Sequence, residues 1–439
     1  MAEQSIPQAM QAVIDRVKEV FPGDEKLADM FGQCFVNTYE TTMKPMDDGT
    51  TFVITGDIPA MWLRDSALQV RPYLIIAEND SDMADAIEGV INRQFYYINH
   101  DPYANAFNEY DNGERYHDDE TAMTPLIWER KYELDSLCFP LLLAYLFWKA
   151  TGRTSHFNES FKKGAYRIVQ TMTIEQDHEE ASNYHFERHG GPESDTLVRN
   201  GKGSPVIPTG MVWSGFRPSD DACQYGYLIP ANMFAVVVLG YLQEIAGEVL
   251  KDQQLEAEAL RLEQEIECGL KEYATVDVPG YGRVFAYETD GLGHYNLMDD
   301  GNVPSLLSLP YLGYCKADDP VYQNTRRYLL SDNNPYFYEG TAAKGIGSPH
   351  TPENYIWHIA LAIQGLTAKD TVEKQGILSA FKTTDAGTGY MHEGFHADNP
   401  NEYTRSWFAW ANSMFSEFVL SLSGRFVKGS PLEEWGVHE

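Results

Sequence analysis

Basic residues are scarce in this chain: 33 Lys and Arg stand against 65 Asp and Glu, a formal net charge of −32. A surface that acidic repels phosphate backbones and anionic lipid, which argues against nucleic acid or a membrane surface as partner and leaves a neutral substrate such as a carbohydrate. Cysteine is also sparse. The five present (Cys34, Cys138, Cys223, Cys268 and Cys315) are odd in number, far apart and form no C-x-x-C, so they read as reduced core thiols. No apolar stretch approaches the roughly 20 residues that a membrane helix needs. The start, Met1-Ala-Glu-Gln-Ser-Ile-Pro, shows neither the basic nor the apolar segment of a secretion signal. No linker or low-complexity segment divides the 439 residues, so a single domain spanning 1–439 is expected, in the cytoplasm.

What the chain has is helical periodicity of two kinds. In Ser81–Phe95, the residues Met83, Ile87, Val90, Ile91 and Phe95 share one face, and Leu255, Ala259, Leu262, Ile266 and Leu270 repeat the pattern later. By contrast, Leu137–Trp148 and Ala231–Leu242 are apolar nearly all round and must be buried on every side. About a dozen such segments alternate, which suits two concentric layers of helices, an all-α barrel written (α/α)6. An irregular helical bundle would give the same periodicity. Short β or loop segments are expected at Thr50–Thr55, Tyr184–Arg188, Arg283–Glu288 and Gly387–His392, amid clustered Gly and Pro. In a barrel such loops gather at one end and build the site.

Three stretches carry chemistry. In GDIPAMWLRDSA, Arg64 offers a rigid donor fork and Asp65 an acceptor at the entry to a helix, a pair able to bracket vicinal sugar hydroxyls. A structural ion pair closing a helix N-terminus accounts for the pair equally well. In SGFRPSDD, Ser219 reads as an N-cap, which places Asp220 and Asp221 in a first helical turn. There they serve either as end-stabilising charges or as a catalytic acid and its neighbour. In GTGYMHEGFHADN, His392-Glu393-Gly394-Phe395-His396 matches the zinc-peptidase pattern H-E-x-x-H. That pattern needs a helix, and the surrounding glycines argue against one, so Glu393 reads better as a carboxylate carried into a cleft on a loop. Nearby, Arg405, Trp407 and Trp410 follow Glu393, with the two tryptophans three apart on an expected helix, and His350 sits on a tight loop of its own.

Taken together, GDIPAMWLRDSALQVRPYL, WSGFRPSDDACQYGYLIPANMFA, GIGSPHTPENYIWHIALAIQGLTA and MHEGFHADNPNEYTRSWFAWANSMFSE resemble glycoside hydrolase family 125. These are exo-α-1,6-mannosidases with an (α/α)6 fold. The resemblance implies hydrolysis of a terminal mannose with inversion, from a mannose-containing oligosaccharide or N-glycan fragment, without metal or other cofactor. It implies Asp220 as general acid and Glu393 as general base, with Trp62, Arg64, Asp65, Glu129, His350, Arg405 and Trp407 as contacts to the sugar. Sequence alone does not rank Asp220 above Asp221. Other enzymes of the same fold class, a glycoside phosphorylase or a glucosidase, and a non-catalytic sugar-binding protein remain alternatives.

Overall fold

A computed structural model describes residues 6–436; the N-terminal stretch read above for a secretion signal lies largely outside them. Among the described residues, after a first one-faced helix Gln8–Val20, six further helices with one buried face alternate along the chain with six helices buried nearly all round. The first set is Glu25–Thr41, Ser81–His100, Glu159–Glu175, Gln253–Tyr273, Pro320–Leu329 and Thr371–Thr384. The second is Leu63–Val70, Leu134–Thr151, Ile229–Glu244, the single turn Leu309–Leu312, His358–Leu366 and Ala409–Leu422. Members of the second set pack on one another, 63–70 on 134–151, 134–151 on 229–244, and 358–366 on 409–422, which returns to 63–70. The inner ring of the (α/α)6 barrel is thus built from the sequences that expose no polar stripe.

The two rings start differently. Every outer helix is capped by an Asp or Asn side chain that accepts a backbone N–H: Asp24, Asp80, Asn158, Asp252, Asp319 and Asp370. Such a cap contributes about 1 kcal/mol. No inner helix has a side-chain cap; Trp62, Glu133, Leu228, Trp357 and Phe408 enter theirs in extended conformation. Short strands run into three of these entries, Met61–Trp62, Tyr227–Leu228 and Tyr355–Trp357. The first N–H groups of the inner helices bond to neighbouring loops instead, Leu63 to the Asn105 carbonyl, Ile229 to that of Tyr287, Ala409 to that of Thr55 and Leu134 to Ser214 Oγ, and the positive dipole ends gather at one end of the inner ring, where carboxylates are favoured.

Several local expectations need correction. Leu134–Thr151 and Ile229–Leu250 are long and apolar enough to cross a membrane, contrary to the length argument above; 83% and 50% of their apolar windows are buried within the protein, as core helices. Cys34, Cys138 and Cys223 are buried, but Cys315 is only half-buried and Cys268 is exposed. The segments expected as β or loop at 184–188 and 387–392 are loops, the first with a bridge between Glu120 and Glu187 and the second leading into the strand that begins at Gly394.

Candidate active site

At the end where the inner helices begin lies a cavity of about 180 Å3. Asp220, Glu393, Trp62, Arg64, Asp65, His350 and Arg405 all face it, although they come from segments up to 343 positions apart (62 to 405). Trp357, Phe408 and Trp410 add aromatic walls. All three lie at the start of inner helices, where the chain passes from strand or loop into the ring.

Trp62, Arg64 and Asp65 are placed by a three-stranded sheet, Met61–Trp62 on Ala106–Phe107 on Ile127–Glu129, that delivers the chain into helix Leu63–Val70. Arg64 is 2% exposed and does not wait for substrate alone. Its Nη1 donates to Glu133 Oε2 at 2.7 Å and to Asp135 Oδ2 at 3.1 Å, and its Nη2 lies 4.0 Å from Asp220 Oδ1. Asp65 is 3.6 Å from Arg64 Nε. Burial pushes the Asp65 carboxyl up to about 6, against the pull of Arg64 and Arg405.

The expected helix at Ser219 does not form. Asp220 N–H donates to Arg217 carbonyl at 3.0 Å and Arg217 N–H to Asp221 carbonyl at 2.8 Å, closing a tight turn in which Asp220 has φ of 69°. A non-glycine residue in the left-handed region costs about 1 kcal/mol or more and persists only where surrounding bonds over-determine it. Here they do: Ser219 Oγ donates to Asp300 at 2.7 Å, Lys131 Nζ to the Asp220 carbonyl at 2.7 Å, and Arg217 Nε to Glu288 at 2.6 Å. The turn separates the two aspartates. Asp220 turns its carboxylate to the cavity with 29% of the side chain exposed, whereas Asp221 is buried and paired with His350 Nδ1 at 3.2 Å. Burial opposes the charge on His350, but the hydrogen bond and charge of Asp221, together with the charges of Glu393 and Asp220, outweigh it and lift its pKa to about 9, so it is an imidazolium at neutral pH.

Glu393 lies one residue before strand Gly394–His396, which pairs antiparallel with Tyr355–Trp357. The H-E-x-x-H stretch is extended, so its histidines share no helical face; His392 stacks on Tyr403 with centroids 3.8 Å apart. Arg405 Nη1 lies 3.7 Å from Glu393, and the same guanidinium is held by Asp57 and, at 3.1 Å, by Thr55. Two expected contacts fall elsewhere. Glu129 does not line the cavity; it accepts from Asn105 at 2.9 Å and Arg188 at 2.8 Å, and Asn105 in turn reaches Asp220 at 3.4 Å. Trp407 precedes the helix that holds Trp410 and contributes through its carbonyl: a Cβ on Gly56 would stand 2.4 Å from that oxygen. Sequence reasoning missed Glu133 and Asp135. The available signal was a pair of acids opening an otherwise apolar helix, since buried charges require partners.

Comparisons with known proteins place the chain in a family. The family model of the metal-independent α-mannosidases, glycoside hydrolase family 125, matches residues 24–420. A Streptococcus pneumoniae structure from work on metal-independent α-mannosidases, a non-productive substrate complex with α-1,6-mannobiose, is 50% identical with a TM-score of 0.93. The match covers 95% of this chain and 99% of that one. The meiotically up-regulated gene 157 protein of Schizosaccharomyces pombe is 39% identical over 445 residues, 95% of this chain and 86% of that protein. A bacterial glucoamylase with acarbose, 13% identical over 96% of this chain and 59% of its own at a TM-score of 0.58, shares the fold alone.

Proposed function

We propose, since this chain belongs to glycoside hydrolase family 125, the metal-independent α-mannosidases, that it removes single terminal α-1,6-linked mannoses with inversion. The observation that carries this reading is the cavity itself. At about 180 Å3 it is smaller than the usual small-molecule pocket of about 300–1,000 Å3, so it suits one sugar ring at a chain end. Asp220 and Glu393 both reach that space from different segments.

In this mechanism Asp220 protonates the glycosidic oxygen while Glu393 takes a proton from the water that attacks C1. Arg64, Asp65 and the Asp221–His350 pair orient the ring through its hydroxyls, and Trp62, Trp357 and Trp410 cover its apolar face. The α-1,6 linkage is carried over from the mannobiose bound by the Streptococcus pneumoniae relative. The physiological substrate is taken to be a mannose-containing oligosaccharide or N-glycan fragment, acted on in the cytoplasm, where five unpaired thiols stay reduced. Proton NMR of α-1,6-mannobiose during the first turnovers tests the reading. β-Mannose is expected to appear first; α-mannose first refutes inversion, and preference for an α-glucoside refutes the substrate.

A further inference from the structure

One guanidinium, that of Arg64, sits among four carboxyls: Asp65, Glu133, Asp135 and Asp220. The side chains of Glu133 and Asp135 are fully buried. Lys131 brings a second cation, but on the Asp220 side of the group, where its ammonium bonds the Asp220 carbonyl and Asp195. Ser136 and Arg64 satisfy Glu133 Oε2, at 2.7 Å each, while Oε1 is buried without any N–H or hydroxyl donor among the described residues. Its neighbour on the same guanidinium is Asp220, whose Oδ1 lies 4.0 Å from Arg64 Nη2. Carboxyls crowded on one cation do not all ionise, and the one that keeps its proton has an O–H to donate to the next.

The two partners differ in surroundings. Glu133 faces Arg64 from helix 63–70, Asp135 and Ser136 from the helix it opens, and Asp220 and Cys223 from the loop. Burial pushes its carboxyl well up, and one shared cation does not reverse that. Asp220 is opposed by burial too, but Lys131, Arg64 and His350 surround it and hold it below the usual carboxylate range. In the free protein the proton therefore rests on Glu133. A general acid must carry that proton when the glycosidic bond breaks.

We propose that Glu133 stores the proton that Asp220 delivers to the leaving group, and so acts through Asp220 as a positioning residue for that proton. This rests on the assignment of Asp220 as general acid. A sugar entering the cavity strips water from the exposed face of Asp220 and disfavours its charge. The proton passes from Glu133 to Asp220, leaving a Glu133 carboxylate held by Arg64. Asp220 passes it to the glycosidic oxygen as the C1–O bond breaks. Water forms the new C1–O bond and gives a proton to Glu393. Glu393 then returns that proton to solvent, and Glu133 takes one back through Asp220, so none is gained or lost overall.

The test is Glu133→Gln, whose amide keeps the volume, still accepts from Arg64 and keeps an N–H donor but carries no transferable acid proton. With α-1,6-mannobiose, kcat should fall about 100-fold, and the alkaline limb of kcat/KM should move acidward by about one pH unit or more. With 2,4-dinitrophenyl α-mannoside, which needs no protonation, the loss should be far smaller. A wild-type rate and an unmoved alkaline limb would overturn the proposal. Asp220→Asn separates the two claims: if it hydrolyses mannobiose normally, the acid assignment fails and the proton store with it. If Asp220→Asn is inactive while Glu133→Gln behaves as wild type, only the store fails. Should Glu133→Gln not fold, infrared difference spectra at neutral pH remain decisive. A protonated-carboxyl band that shifts in Asp220→Asn supports the store, and the absence of any such band overturns it.

Discussion

Replacing Asp65 with Asn should make this protein more stable and a poorer enzyme. Asp65 is 5% exposed, and its carboxyl ionises at about 6 in place of the ordinary 3.8, because burial outweighs the attraction of Arg64 and Arg405. A group whose folded pKa is raised contributes stability below its unfolded pKa, and that stability is lost as pH rises through the folded value. Holding Asp65 ionised at about pH 8 therefore costs about 3 kcal/mol, and the cost falls to about 0.5 kcal/mol near pH 4. The amide has the same shape and carries no charge, so Asp65→Asn should gain about 2–3 kcal/mol at the higher pH and almost nothing at the lower. Urea unfolding followed by tryptophan fluorescence at both pH values measures this. The same change removes a charged acceptor for a sugar hydroxyl, worth about 1.5–3 kcal/mol, so kcat/KM for mannobiose should drop about 10- to 150-fold. A variant less stable than wild type at pH 8, or a gain that persists on acidification, would refute the reasoning.

Asp220→Asn and Glu393→Gln should each lower kcat on mannobiose by about 100- to 10,000-fold, but only Asp220→Asn should recover on a dinitrophenyl mannoside; recovery of Glu393→Gln would refute its role as base, and no recovery of Asp220→Asn would refute its role as acid. Asp221→Asn should bring the titration of His350 from about 9 back towards its ordinary range, since the hydrogen bond and charge of Asp221 are the largest of the effects that raise it, and NMR of the labelled imidazole reads this directly. Prolonged treatment with EDTA should leave activity intact; loss restored by zinc would return the H-E-x-x-H motif to the mechanism.

Helix identity and layer were readable in one dimension, because burial is written in the repeat. A helix with one apolar stripe, such as Gln253–Tyr273, can only pack one face, and one without a polar stripe, such as Ile229–Glu244, can only go inside. The Arg64–Asp65 pair at a helix entry and the non-helical H-E-G loop were legible for similar reasons, being matters of local spacing and glycine content. The turn at Asp220 was not, because local propensity favoured a capped helix after Ser219. Ser219 is spent instead on Asp300, and Lys131 holds the Asp220 carbonyl, contacts at separations of 81 and 89 residues that no local pattern encodes. The same holds for Asp220 over Asp221. Their chemistry is identical, and only the closed ring, by bringing His350 to one and the cavity to the other, makes them different. Arg64 shows the division most plainly. Its type and position follow from sequence, but whether it serves as a ligand contact or as counter-ion to Glu133 and Asp135 depends on two inner helices meeting at their uncapped ends.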